Sequence, residues 1–326
     1  MDRKQTIKLR YILLAVLAAL AASPARAQSP YEAKIVTIVT STGVGGVYDL
    51  TARVLARHMG RYIPGNPSLI VQNMPGGGNV LATNYIYNIA PKDGLTIASI
   101  HNAMPLYQVL DGRGVRFDAG KFNWLGSTGS ENEVILVWHT TGIRSLKDAM
   151  EREVVLGTRF KLVIGYKTSE DINLALERGE VEARAFGINS IVAQHADWLR
   201  TQKVVILAQA GVRRDKDLPD VPLLTELAAT DEQRAVLRLI SAPPGLGHPY
   251  LAPPGIAPDR LAILRRAFAA TLRDKKFLAE VGKLQLAIDP LSAEETSAIV
   301  ADTVNAAGDV VARAKAAMEA PAAPPP

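Results

Sequence analysis

The amino-acid sequence predicts an α/β fold in two domains, and three observations carry that prediction. Apolar, β-rich runs alternate with stretches of helical periodicity from Lys34 onward, the rhythm of a parallel sheet with helices on its faces. At 326 residues the chain exceeds the usual size of a single core. A Pro- and Gly-rich stretch, "SAPPGLGHPYLAPPGIAPDR", interrupts the pattern late in the chain and reads as a segment crossing between domains, because its prolines suit neither a helix interior nor a central strand.

The first 27 residues stand apart from the fold. Basic "MDRKQTIKLR", apolar "YILLAVLAALAA" and the small-residue site Ala25-Arg26-Ala27 form a secretory signal peptide, with cleavage expected after Ala27 and a periplasmic product. Arg3, Lys4, Lys8, Arg10 and Arg26 against Asp2 account for +4 of the formal net charge of +5, so the mature chain is close to neutral. That balance, with no basic stripe interleaved with aromatics, implies no nucleic-acid partner. The absence of cysteine excludes disulfides, thiolate metal sites, cysteine nucleophiles and a lipidated cysteine anchor. Five scattered histidines without His-Glu-x-x-His imply no metal centre, and no cofactor motif is present.

The elements then follow in order. "KIVTIVT" is a strand, and Val47, Leu50, Val54, Leu55 and Met59 mark the helix after it. "SLIVQN", helical "ATNYIYNIA" and "LTIASI" repeat the unit. Further strands are expected at "FNWLGS", "VILVWH", "EVVLG", "FKLVIGY", "VEARAFG" and "KVVILAQ". Helices are expected at 145–151, 169–178, 190–200, 222–229 and 231–239, the second opened by Thr168 and Ser169. After the Pro/Gly stretch come helices from Asp259 and Asp274, a strand "LQLAID" and one long alanine-rich helix from Ser292 to about Met318. The tail "EAPAAPPP" is expected to be disordered.

Function is concentrated in glycine. "STGVGGVYD" lies where a strand leads into a helix N-terminus, and bare backbone there lets a ligand approach amide N–H groups that the helix dipole makes attractive to an anion. A P-loop needs Lys and Ser or Thr after its last glycine, where Val47 and Tyr48 stand; the dinucleotide fingerprint needs a third glycine at Tyr48. Both fail, leaving a tight turn and a small-anion cradle open. "VQNMPGGGNVLATNYIYNIAPKDG" repeats the strand, glycine turn and helix, and two such loops at one sheet edge indicate a site.

The segments "GGVYDLTARVLARHM", "PGNPSLIVQNMPGGGNVLATNYIYNIAPKDG", "KFNWLGS", "GYKTSEDINLALERGEVEARAFG", "DLPDVPLLTEL", "LAPPGIAPDRLAILRRAF" and "DPLSAEE" together resemble the periplasmic receptors of tripartite tricarboxylate transporters, the Bug or TctC family, over nearly the whole mature chain. The resemblance implies a type II periplasmic-binding-protein fold of two lobes around a cleft, 28–128 with 245–320 and 129–244, with 321–326 as the tail. It implies a monomer that captures a small carboxylate through main-chain amides and delivers it to membrane permease subunits. Carried onto this chain, it places ligand contacts at Thr42, Gly43, Val44, Gly45 and Gly46, with Asp49 ordering the loop and Asn73, Gly76 and Gly77 supporting it. His101, Asn102 and Ser127 are expected to face the cleft, with Gly187 and Asn189 contributing from the second lobe.

Two departures matter. Val44 stands where the family carries proline, which loosens the loop modestly. "EVVLG" runs almost directly into "TRFKLVIGY", too short a connection for parallel strands, so the second lobe is expected to be shortened and to lose a clamp on the ligand's far end. Weak affinity or a degenerate paralogue follows as an expectation, and the fold also permits a sensing partner of a membrane kinase. A secreted hydrolase is the remaining alternative, but no Gly-x-Ser-x-Gly occurs and His195 and Asp197 lie two apart, off a shared helix face. Glu131 with Glu133, and Glu180 with Glu182, read as solvated surface, so no enzyme activity is expected.

Overall fold

A computed structural model describes residues 29–149, 163, 166 and 169–318. The signal peptide, the tail and the strands "EVVLG" and "FKLVIGY" with their short connection lie wholly or mainly outside the described residues.

Strand β1 (Ile35–Thr40) leads through helix α1 (Val47–Met59) to β2 (Ser68–Asn73), and α2 (Val80–Asn88) leads to β3 (Thr96–Ser99). β1 pairs in parallel with both, Thr40 standing opposite Asn73 on one side and Ser99 on the other. Each crossover carries a helix long enough to return the chain to the same edge, so every strand end, and the loop leaving it, collects on one side of the sheet. Helix α3 (Met104–Leu110) and β4 (Asn123–Ser127) follow.

The chain then builds a second sheet. β5 (Glu133–Trp138), α4 (Ser169–Glu177), β6 (Ala183–Gly187), α5 (Ile188–Gln194), α6 (Ala196–Arg200) and β7 (Val204–Ala210) place β5 between β6 and β7, antiparallel to both. The helix expected over 190–200 is two helices, because His195 leaves helical geometry at φ −132° and ψ 36°. At 222–229 only a 3₁₀ turn, Leu224–Leu227, forms.

Helices α7 (Asp231–Ile240) and α8 (Ala242–Leu246) then bring the chain back to β8 (Pro249–Ala252), which inserts between β3 and β4, antiparallel to both. This corrects the sequence expectation: the Pro/Gly stretch does cross between the sheets, but it also supplies a short helix and a central strand. Pro243 and Pro244 occupy the first turn of α8, where backbone N–H groups have no helical partner, and Pro249 opens its strand. Helices α9 (Pro258–Thr271), α10 (Lys275–Lys283), α11 (Ala293–Val304) and α12 (Gly308–Met318) complete the chain. The long alanine-rich helix is therefore two, separated at Asn305–Ala307. "LQLAID" forms no strand; only isolated bridges at Asp289 and Leu291 tie the segment to Gly129 and Ser127.

The five-stranded sheet is covered on both faces. Leu55, Met59, Leu264, Phe268 and Phe277 from α1, α9 and α10 fill one side, and Ala82, Ile86, Met104, Trp124 and Val300 fill the other. Val134, Leu136, Leu176, Ile191 and Trp198 form a separate core under the second sheet. Helix α7 packs on α3 and α12 through Leu239, Leu106 and Ala314, outside that second core.

Two chain passages join the sheets side by side. The His248 amide donates to Gly129 O (3.1 Å) and the Glu131 amide to Pro244 O (3.2 Å). Gly247 sits between them at φ +57°, and a Cβ there would overlap the Gly129 carbonyl. Gly247→Ala is therefore expected to cost at least about 3 kcal/mol, through forbidden backbone and steric overlap together, read as a shifted midpoint in urea unfolding.

Candidate functional site

The first loop, Ser41 to Gly46, leaves β1 at the shared edge and enters α1 without a side-chain cap. Gly43 to Val47 are exposed, Val44 at 77%. The Ser41 amide donates to Ser99 O, and that of Gly45 to Asp49 Oδ2 at 2.9 Å. Among the described residues no acceptor takes the amides of Gly43, Val44 or Gly46. A Cβ at Gly43 or Gly46 would touch nothing within 4 Å, so open space faces this backbone. Thr42 adds a buried Oγ1 that no described group satisfies.

What holds such a loop still is a polar cluster below it. Asp49, 1% exposed, accepts from Gly45, from Arg53 Nε (3.0 Å) and from Asn73 Nδ2 (2.9 Å). Asn73 Nδ2 also reaches Thr40 Oγ1 (2.8 Å) and Thr42 O (3.1 Å), while its Oδ1 accepts from Arg53 (3.0 Å). Burial opposes the Asp49 charge, but the hydrogen bonds from Arg53, Gly45 and Asn73 outweigh it and hold the carboxyl below its ordinary range. Asp49 and Asn73 thus touch the loop directly. Gly76 and Gly77 do not; at φ +146° and +55° they shape the turn that opens α2.

Behind the loop stands Tyr48, which the sequence reading used only to reject nucleotide motifs. Its hydroxyl donates to Gly247 O (3.1 Å) and accepts from the Asn102 amide (3.0 Å). The His101 ring stacks on it at 5.5 Å and the His248 ring meets it edge-on at 4.7 Å. Burial lowers the pKa of both imidazoles, that of His248 to about 4 with His101 adding to the shift, so both are neutral at physiological pH. His101 Nδ1 accepts from the Ala103 amide at 3.2 Å, which puts the proton on Nε2. His101 and Asn102 therefore adjoin the first loop through Tyr48 and through the bond from the His101 amide to Ser41 Oγ (2.9 Å).

Two expected cleft residues have other tasks. Ser127 is fully buried, and its hydroxyl is spent on Leu246 O (2.7 Å) and Gly129 O (3.1 Å) where the chain passages cross. Gly187 precedes α5, and the space a side chain would take there is filled by the Glu131 carboxylate. Burial raises the Glu131 pKa, and hydrogen bonds from the Asn189 and Ser190 amides oppose that shift, Asn189 more strongly. The reading of Glu131 as solvated surface is thus corrected: Glu133 is exposed, but Glu131 Oε1 is buried without a donor among the described residues.

Elsewhere, a groove of about 490 Å³ lies at the far end of α1. Its guanidinium groups are already paired, Arg57 with Glu280 and Arg61 with Asp274, which leaves it ill suited to an anion. Among the described residues no cluster of three His, Asp or Glu side chains could hold a metal, and no helix is long and apolar enough to cross a membrane.

Two sheets joined by crossing passages, with a glycine loop at the parallel strand ends, make up a fold that is similar to that of solved periplasmic solute-binding proteins. Solved structures agree. A TctC solute-binding protein from Polaromonas matches with a TM-score of 0.65 at 16% identity, covering 86% of this chain and 98% of that one. MatC of Rhodopseudomonas palustris, solved with bound malate, matches with a TM-score of 0.57 at 18% identity over 85% of this chain and 98% of that one. A curated relative, the UPF0065 protein in the gbd 5'region of Cupriavidus necator, is 24% identical over 309 residues, 87% of this chain and 89% of its own. No family model matches the chain. The resemblance drawn from the sequence motifs holds at the level of the fold.

Asp49→Asn should leave Arg53 and Gly45 poorly matched and lower stability by about 1–3 kcal/mol in urea unfolding, with faster hydrogen exchange at the Gly45 amide. The sign with pH is fixed by the depressed pKa. The stabilisation from the charged carboxylate is present above about pH 4 and is lost as pH falls through the lower folded-state value, an acid dependence the variant should not show.

Proposed function

We propose that this chain is the extracytoplasmic receptor of a tripartite tricarboxylate transporter, capturing a small carboxylate by closure of two lobes without chemistry. The observation that carries the reading is the first loop: amides without acceptors at the uncapped start of α1, facing open space and braced by Asp49 and Asn73. Preorganised N–H groups bind an anion without a reorganisation cost, and closure strengthens each bond by excluding water. The malate bound in the structurally similar MatC supports a ligand of this class.

We assign residues 28–128 and 245–320 to one lobe and 129–244 to the other, with the passages around Gly129 and Gly247 as the hinge. The receptor acts in the periplasm, as a monomer, and passes its ligand to membrane permease subunits. Thr42, Gly43, Val44 and Gly46 make the contacts, and His101 offers its Nε2–H beside them.

A thermal-shift screen of carboxylates on the mature protein tests this reading. A ligand at 100-fold its Kd adds about 2.7 kcal/mol to the folded state, a rise of several degrees. Gly46→Leu should abolish the shift while melting unliganded like the wild type, because nothing lies within 4 Å of a Cβ there. A shift that survives in Gly46→Leu would move the ligand away from this loop.

A further inference from the structure

Glu131 stands where the two sheets meet. Its amide is tied to Pro244 O at 3.2 Å, and Tyr48 from α1 is tied to Gly247 O at 3.1 Å on the same passage, so the carboxylate and the first-loop helix share one junction. The charge of Glu131 is close enough to the Tyr48 hydroxyl to oppose its ionisation. On its other side the carboxylate fills the space left by the missing side chain of Gly187. The Asn189 and Ser190 amides at the start of α5 favour its charged form, but Oε1 is buried without a donor among the described residues, and the charged groups acting on Glu131 are Glu133 and Asp215, both of its own sign. A buried carboxylate oxygen in that condition is costly, and a cationic donor would offset the cost.

We propose that Glu131 fixes the charge of the ligand's second end: with one carboxylate on the first loop, the cleft takes a molecule bearing an ammonium at its other end and disfavours a dicarboxylate. This rests on the receptor reading above. An ammonium supplies the donor that Oε1 lacks. A second carboxylate would meet the like charge of a buried carboxylate, the repulsive element by which a site rejects the wrong partner.

Calorimetry and thermal shift at neutral pH, with glycine, β-alanine and γ-aminobutyrate against malonate, succinate and glutarate, test the proposal on wild type, Glu131→Gln and Glu133→Gln. The expected result is that an amino acid of the series binds wild type at least about tenfold tighter than the matched diacid, and that Glu131→Gln reverses the order. Glu133→Gln, altered at an exposed position, should keep the wild-type order. The unliganded melting temperature of Glu131→Gln, close to that of wild type, shows that it folds.

A wild type that prefers the diacids overturns the proposal and leaves the receptor standing, as does a Glu131→Gln variant with unchanged preference. The latter is the outcome expected if Glu131 is protonated and donates to a second carboxylate. Failure of every acid to bind any of the three proteins overturns the receptor reading and this proposal with it.

Discussion

Three glycines in four positions make a loop that is expensive to order, since each residue fixed costs about 1–2 kcal/mol of backbone entropy and glycine costs the most. The Asp49 carboxylate opposes that cost. It sits 1% exposed one turn into α1 and draws together the Gly45 amide, the Arg53 guanidinium and Asn73 at the end of the neighbouring strand. The parallel register that sets Thr40 opposite Asn73 is what brings the amide of Asn73 within reach of Thr40 and Thr42. Loop geometry, sheet register and helix start are thus one arrangement, and the exposed amides are rigid because the groups beneath them are satisfied.

The same economy governs the junction. Ser127, Gly129, Gly247 and His248 interlock through backbone bonds and one buried hydroxyl, and Tyr48 ties the first helix to that interlock. In the lobe division proposed above, a rotation of one lobe against the other would pass through these residues. Their polar groups are paired on both strands, so small backbone changes can occur without exposing an orphan donor in the interior.

The first sheet was legible because its signals are local: apolar, β-rich runs for β1 to β3, a helix-period pattern for α1, and glycine where a strand meets a helix. The errors share one cause. Pro249 could sit in a central strand only because it opens that strand at a sheet junction, a fact set by partners more than 100 residues away in sequence, β3 and β4. Ser127 and Glu131 were misplaced for the same reason, since which face of a crossing segment is buried depends on the passage lying against it. Asp49 and Asn73 could be named from motif resemblance, but that they meet each other is a property of register. Tyr48 carried no local signal beyond its size.

The electrostatics of the junction follow from these placements. Arg53 is balanced by Asp49, His101 and His248 are neutral, and Glu131, its pKa raised by burial, adds no positive charge. If the proposed receptor holds an anion here, it has no uncompensated cation among these groups, and its attraction comes from amide dipoles. Dipoles act over short range and weaken steeply in water, where the dielectric constant is high. In the proposed receptor such a site would gain most of its strength when the lobes close and water leaves, which would make closure the step that separates a bound ligand from a passing one.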